Sequence, residues 1–438
     1  MTFVSIIISI IILGILIIVH EFGHFIIARK NGVFVKEFSI GFGPRIISHK
    51  CRSGMLISWK AIPFGGSCRM LGAFEDEDAG TDDERSYESK SVWARMSITL
   101  AGPVFNFLLA WVLAVIIIGS AGFDPPTVLN VAEGSPAYEA GLREGDIITE
   151  YNGTGISFGR EIYLENFINP LNADTENVKI RYERDGQTYS ADIRPMRYEY
   201  FAVGLSYYAD ENPAAVVEVT EGGPMDKAGI RPEDIITAIN GNSIGSGTEL
   251  YEYFNNNPIT GEQIEIDFLR HGGNMHASVS PEPASSYLLG FTYNTANVKA
   301  SVGEVLKYSF AEMKYQIVTV IKCLGILFSG KGSLDMLSGP VGIVEVVDST
   351  YTASVSSGFF VTLINMLSIM LMLSANLGVL NLLPIPALDG GKFILLIIEA
   401  ITRKPVPRKI EGIVTVIGAG LLFLLMIAVL INDVTKFF

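Results

Sequence analysis

The sequence predicts a multi-pass α-helical membrane protein with four transmembrane helices and a β-rich extracytoplasmic insert between the second and third. Three observations predict it. The chain has 438 residues, 49% of them apolar, and the apolar residues are clustered rather than spread. Four stretches are long and apolar enough to cross a bilayer: 3–28, 96–122, 358–383 and 413–431. Between the second and third lies a long acidic segment with an internal repeat and strand-like alternation.

The first span holds His20-Glu21-Phe22-Gly23-His24, and His20, Glu21 and His24 are its only groups able to bind metal or carry charge. No basic residue precedes the stretch and no small-residue cleavage site follows it, so it is expected to be retained rather than removed as a secretory signal. Residues 29–95 form a loop with a membrane-associated β segment. It is rich in glycine and aromatics, alternates over Met55 to Lys60, and ends in an acidic run at 75–88. The second span, 96–122, contains Ala101-Gly102-Pro103-Val104-Phe105-Asn106.

Residues 123–300 carry 27 Asp/Glu against 11 Lys/Arg, which accounts for the whole net charge of −14 and argues against nucleic acid as a partner. EGSPAYEAGLREGDIITEYNG at 133–153 and EGGPMDKAGIRPEDIITAING at 221–241 match at 12 of 21 positions. The pattern resembles PDZ domains of the kind attached to bacterial proteases, placed at 123–200 and 201–285. The resemblance implies capture of peptide termini or extended segments at a sheet edge; a steric filter or spacer is the alternative. Residues 300–357 read as an amphipathic, interfacial helical region. Its apolar part, 305–328, carries Glu312, Lys314 and Lys322 and fits a helix on the membrane surface better than a fifth span. The third helix, with its end motif, occupies 358–391 and the fourth 410–432. Lys and Arg flank the loops after the first and third spans. The positive-inside rule then puts those loops in the cytoplasm, and both termini and the repeat outside.

H-E-x-x-H on a helix sets two imidazoles one turn apart on one face with a carboxylate beside them. In this reading His20 and His24 bind one Zn²⁺ per chain as neutral imidazoles. Glu21 takes a proton from the attacking water and passes it to the leaving amine. Ionisable groups at membrane depth are costly and usually functional. A third ligand is needed, and Asp389, at the end of Asn381-Leu382-Leu383-Pro384-Ile385-Pro386-Ala387-Leu388-Asp389-Gly390-Gly391, is the best candidate. Taken alone it also reads as a helix cap. Pro384 and Pro386 prevent a regular helix there and free backbone to line a cavity. Cys51, Cys68 and Cys323 read as free thiols.

H-E-F-G-H in the first span, N-x-x-P-x-P-x-L-D-G-G in the third and PDZ-like modules between spans two and three resemble the site-2 protease family. The chain is most similar to its bacterial RseP type. Gly41-Phe42-Gly43-Pro44, Ile62-Pro63-Phe64-Gly65-Gly66 and Ser338-Gly339-Pro340-Val341-Gly342 add to the match. The resemblance implies a zinc intramembrane endopeptidase in the bacterial cytoplasmic membrane, with its site near the cytoplasmic side. It would cut single-span membrane proteins, such as anti-sigma factors or remnant signal peptides, in regulated intramembrane proteolysis. It makes Asp389 the third ligand, gives Asn381 and Asn376 to the substrate backbone, and groups Pro384, Pro386, Gly65 and Gly66 with them. It also implies that the strand at Met55 to Lys60 pairs with unwound substrate. The alternative function is a catalytically silent membrane PDZ module that captures exported peptides. The intact His20, Glu21, His24 and Asp389 argue against it.

Overall fold

The computed structural model describes residues 2–73, 83–209, 212–330, 332 and 337–435, so the acidic run at 75–88 lies outside the described residues as far as residue 82. The chain divides into two compact units. One comprises residues 1–125 and 296–438, the other 126–295.

In the first unit, four helices are long and apolar enough to cross a membrane: Phe3–Lys30, Val92–Ala121, Phe359–Asn381 and Lys409–Asp433. The first is apolar on every side, so hydrophobicity does not choose its packing face. Small and polar residues do: Ser5, Ser9, Gly23, His24 and Ala28 are buried along one stripe with Ile12 and Leu16. Gly23 is the closest point. A Cβ there would lie 2.8 Å from the Ala101 carbonyl carbon and 2.9 Å from Phe105 Cγ on the second span. The second span, capped by Ser91, is central. Its Ala110, Leu113 and Ala114 join Ile12 and Leu16 of the first and Met366, Ile369, Met370 and Ala375 of the third in one core.

The helix Val302–Phe328 lies along the second and third spans rather than apart from them. Trp111 meets Phe310 at 5.1 Å between ring centroids, and buried Glu312 accepts from Gln316 Nε2 at 2.9 Å. The helix Pro340–Val355 follows. Its first turn is held by Asp433 of the fourth span, which accepts from the Gly339 and Gly342 amides at 3.2 and 2.9 Å.

The strands Val35–Lys50 and Leu56–Met70 fold back on themselves into a sheet with more than two ladders. Residues 66–70 pair with 35–40; residues 56–60 pair with 37–40 on one side and 45–50 on the other. The stretch from Met55 to Lys60 therefore has no free ladder, and the expectation that substrate pairs there does not hold. The edges are 66–70 and 45–50, and among the described residues no strand covers the outer side of either; Gly66 puts the first of them against Glu21. Glu37 pins the sheet from inside. It takes two hydrogen bonds from Arg45, at 2.8 and 3.0 Å, and one from Ser58.

The second unit holds two alike four-stranded antiparallel sheets. The first contains Ile147–Tyr151, Val178–Arg184 and Gln187–Ile193; the second contains Ile235–Ile239, Ile264–Arg270 and Gly273–Val279. The repeat extends to an ion pair on a buried aspartate in each, Arg184 with Asp146 and Arg270 with Asp234, bidentate at 2.6–2.8 Å. The two folds are nested rather than sequential. Val128–Val131, at the start of the first, pairs with Phe291–Tyr293, which follows the second, and Leu289 lies in the first core. Val216–Val219 of the second pairs with Leu205–Tyr207, and Val203 lies in its core. The strands Met196–Ala202 and Glu282–Leu288 pair with each other as the chain passes between folds.

Candidate metal and catalytic centre

His20 and His24 lie in the second half of the first span, one turn apart, their rings 4.8 Å between centroids and near perpendicular. Asp389 reaches them from another direction. After Asn381 the third span ends in a run of tight turns, and the helix Asp389–Thr402 begins at the aspartate itself. Carboxylate at a helix N-terminus is favoured by the helix dipole. Gly390 and Gly391 make the turn possible: a Cβ on Gly391 would lie 2.8 Å from both the Ile385 carbonyl carbon and Pro386 Cα. Ala387, just before, has φ +84°, a left-handed conformation that L residues adopt at a cost.

The three side chains converge on one point. The Nε2 atoms of His20 and His24 are 3.2 Å apart, and Asp389 Oδ2 is 3.1 and 3.3 Å from them. Zinc bonds of 2.0–2.2 Å in a tetrahedron require edges of about 3.3–3.5 Å, so the triangle has close to the dimensions of one face of such a site. Asp389 Oδ2 is buried and makes no well-aligned hydrogen bond despite these distances. An orphaned carboxylate oxygen aimed at two imidazole nitrogens is what a metal ligand looks like without its ion. The donors are two imidazoles and one carboxylate, a set that suits zinc.

The second span shapes the site from behind. Ile98 O is 2.8 Å from His24 Nδ1; since a carbonyl only accepts, Nδ1 carries the proton and Nε2 keeps its lone pair. Gly102 lets the helix approach both rings: a Cβ there would fall against His24 Nε2 and within 2.6–2.7 Å of His20 Cε1 and Nε2. Pro103 has no N–H, so the Thr99 carbonyl one turn earlier loses its helical donor. In the sequence Gly102, Pro103 and Asn106 are marked only as one polar residue and two helix-weakening residues in an apolar span.

A cavity of about 840 Å³ opens beside the triad, lined among others by Glu21, Gly66, Cys68, Thr99 and Asn381. Glu21 faces the sheet edge, its Cγ 3.0 Å from where a Gly66 Cβ would stand. Asn381 and Gly66 thus border the cavity, whereas Asn376, Pro384, Pro386 and Gly65 are not among the residues lining it. Pro386 packs on Gly418 of the fourth span instead. Cys51, Cys68 and Cys323 are free. Burial, and then Glu21, push the Cys68 thiol up to about 12, so it is inert at neutral pH.

Residues 8–425 match the sequence profile of peptidase family M50. The chain is 30% identical over 459 residues to the zinc metalloprotease RasP of Geobacillus kaustophilus, covering 100% of this chain and 99% of that one. It is also 30% identical over 445 residues to Eep of Enterococcus faecalis, described as a probable protease, covering 99% of each. A solved HtrA3 PDZ domain bound to a phage-derived ligand aligns with 21% of this chain and 93% of its own, at 20% identity and a TM-score of 0.18. The multi-pass membrane architecture, with a β-rich unit inserted in sequence between its second and third spans, and the full-length match agree: this chain belongs to peptidase family M50, the site-2 zinc metalloproteases.

Proposed function

We propose that the chain is an intramembrane endopeptidase that cuts single-span membrane proteins within or near their spans, with one zinc ion at His20, His24 and Asp389. One observation carries the reading: two donors of the converging triangle sit on the first span and the third on the helix that follows the third span, beside a cavity and an unpaired sheet edge. When bound, zinc polarises the scissile carbonyl and brings the pKa of water near neutrality. Glu21 is the general base: it takes the proton of the attacking water and returns it to the leaving amine.

A helical substrate shields its peptide bonds with its own hydrogen bonds, so it must unwind before water attacks. Residues 66–70 offer the free ladder that replaces those bonds, and Asn381 offers an amide to the same backbone. Anti-sigma-factor-like proteins and remnant signal peptides are the substrate types the family resemblance favours. Arg29 and Lys30 after the first span favour a cytoplasmic location for the site, with the β-rich unit and both termini outside.

The test is Glu21→Gln assayed in membranes against a tagged single-span substrate. Cleavage is expected to be abolished. Unchanged cleavage would remove Glu21 from the reaction.

A further inference from the structure

His24 has its tautomer fixed by a carbonyl; His20 needs the same service, and one residue is in place to supply it. Asn106 is completely buried on the second span. Its amide lies against His20, Nδ2 at 3.2 Å from Nδ1, while its Oδ1 is buried with no partner. Its backbone is pinned as well: Ser374 Oγ on the third span donates to Asn106 O at 2.8 Å.

The two ends of an amide are alike in shape, and their assignment follows from hydrogen bonding. With Nδ2 toward His20, the ring must accept at Nδ1 and therefore carries its proton on Nε2, the atom that faces His24 and Asp389. With the amide turned over, the orphaned Oδ1 accepts from Nδ1–H and Nε2 keeps the lone pair a metal needs. We propose that Asn106 is a positioning residue for zinc, its side-chain carbonyl holding His20 in the Nε2-ligating tautomer as the Ile98 carbonyl holds His24. The two partners are eight residues apart on one helix, so the second span presents two acceptors, one per imidazole, with Gly102 between them giving the clearance. An asparagine at this depth is costly unless it has such a partner.

The proposal rests on the zinc-peptidase reading and is tested on metal binding rather than turnover. Zinc affinity of the full-length protein in detergent is measured by competition with a chromogenic chelator for wild type, Asn106→Leu, Asn106→Ala, Asn106→Asp and His20→Ala. The visible spectrum of the Co²⁺-loaded forms is recorded alongside. Losing a partner behind a ligating histidine lowers metal affinity roughly 10–100-fold, so Asn106→Leu and Asn106→Ala are expected in that range, with a perturbed cobalt spectrum. Asn106→Asp keeps an acceptor and is expected to restore affinity and spectrum. Wild-type affinity in both apolar variants, or an equal loss in Asn106→Asp, overturns the proposal. Using two apolar variants of different size keeps the result readable if one of them does not fold. Equal zinc affinity in wild type and His20→Ala would overturn the zinc reading itself, and this proposal with it.

Discussion

Asp389 Oδ2 stands 3.1 Å from His20 Nε2, although the two residues come from opposite ends of the chain and from different helices. The β-rich unit is inserted between them in sequence, and the second span is the surface on which they meet. The consequences of that meeting are measurable.

Removing the Asp389 carboxylate removes the third corner of the proposed metal site. Asp389→Ala is expected to abolish stoichiometric zinc binding and to lower cleavage at least about 100-fold, because two imidazoles alone do not make a closed zinc site. Metal analysis of the purified variant beside wild type checks it.

Gly102 is a clearance residue, so its effect is steric. Gly102→Ala pushes a methyl into both imidazoles and is expected to lower zinc affinity and activity by at least about tenfold. Gly14→Ala, on the first span with nothing within 4 Å of its Cβ, is expected to leave both within about twofold. Equal behaviour of the two variants would contradict the packing described around His20 and His24.

Ala387 holds a left-handed conformation two residues before Asp389. Ala387→Gly is expected to retain zinc and activity and to stabilise the folded chain by about 1 kcal/mol. A fall in thermal midpoint would mean that the Ala387 methyl makes a contact worth more than the strain.

How far these features were legible in the sequence depends on whether they are local. His20, Glu21 and His24 are set by helical spacing within five residues, and Asp389 is marked by prolines and glycines that stop a helix beside an apolar run. Asn106 carried only a weak signal, because one asparagine in a span looks the same whether it faces a neighbouring helix or a ligand. The sheet edge was misplaced for a different reason. Alternation from Met55 to Lys60 shows a strand, but only the pairing of 56–60 with both 37–40 and 45–50 shows that it is interior. The nesting of the two β-rich folds was equally hidden. Phe291–Tyr293 is three residues long, too short for a pattern, and its partner Val128–Val131 lies on the far side of the whole repeat.

Glu37 gives the sheet formed by Val35–Lys50 and Leu56–Met70 a pH dependence. The hydrogen bonds from Arg45 hold its carboxyl down at about 2, against the opposing effect of burial and with help from Ser58. A depressed folded-state pKa stabilises above the ordinary carboxylate value, and the contribution is lost as pH falls from there toward 2. Glu37→Gln is expected to cost about 3 kcal/mol at neutral pH and to abolish that acid dependence. Hydrogen exchange of the amides at 56–60, corrected for intrinsic pH effects, reads both.

Substrate unwinding is the step that the proposed pairing at the 66–70 edge would serve. A single-span substrate with glycine or proline near the cut is expected to be cleaved at least about tenfold faster than an all-leucine version. Identical rates would argue against strand pairing at 66–70.

Mapping the cut by mass spectrometry tests the central claim most directly. Wild-type protein, loaded with one zinc ion and incubated with a single-span substrate in membranes, is expected to produce new termini inside the span or within a few residues of its cytoplasmic end. Glu21→Gln, with zinc retained, is expected to produce none. Cuts confined to the substrate's extracytoplasmic portion, or the same termini from Glu21→Gln, would contradict an intramembrane site built by His20, His24 and Asp389.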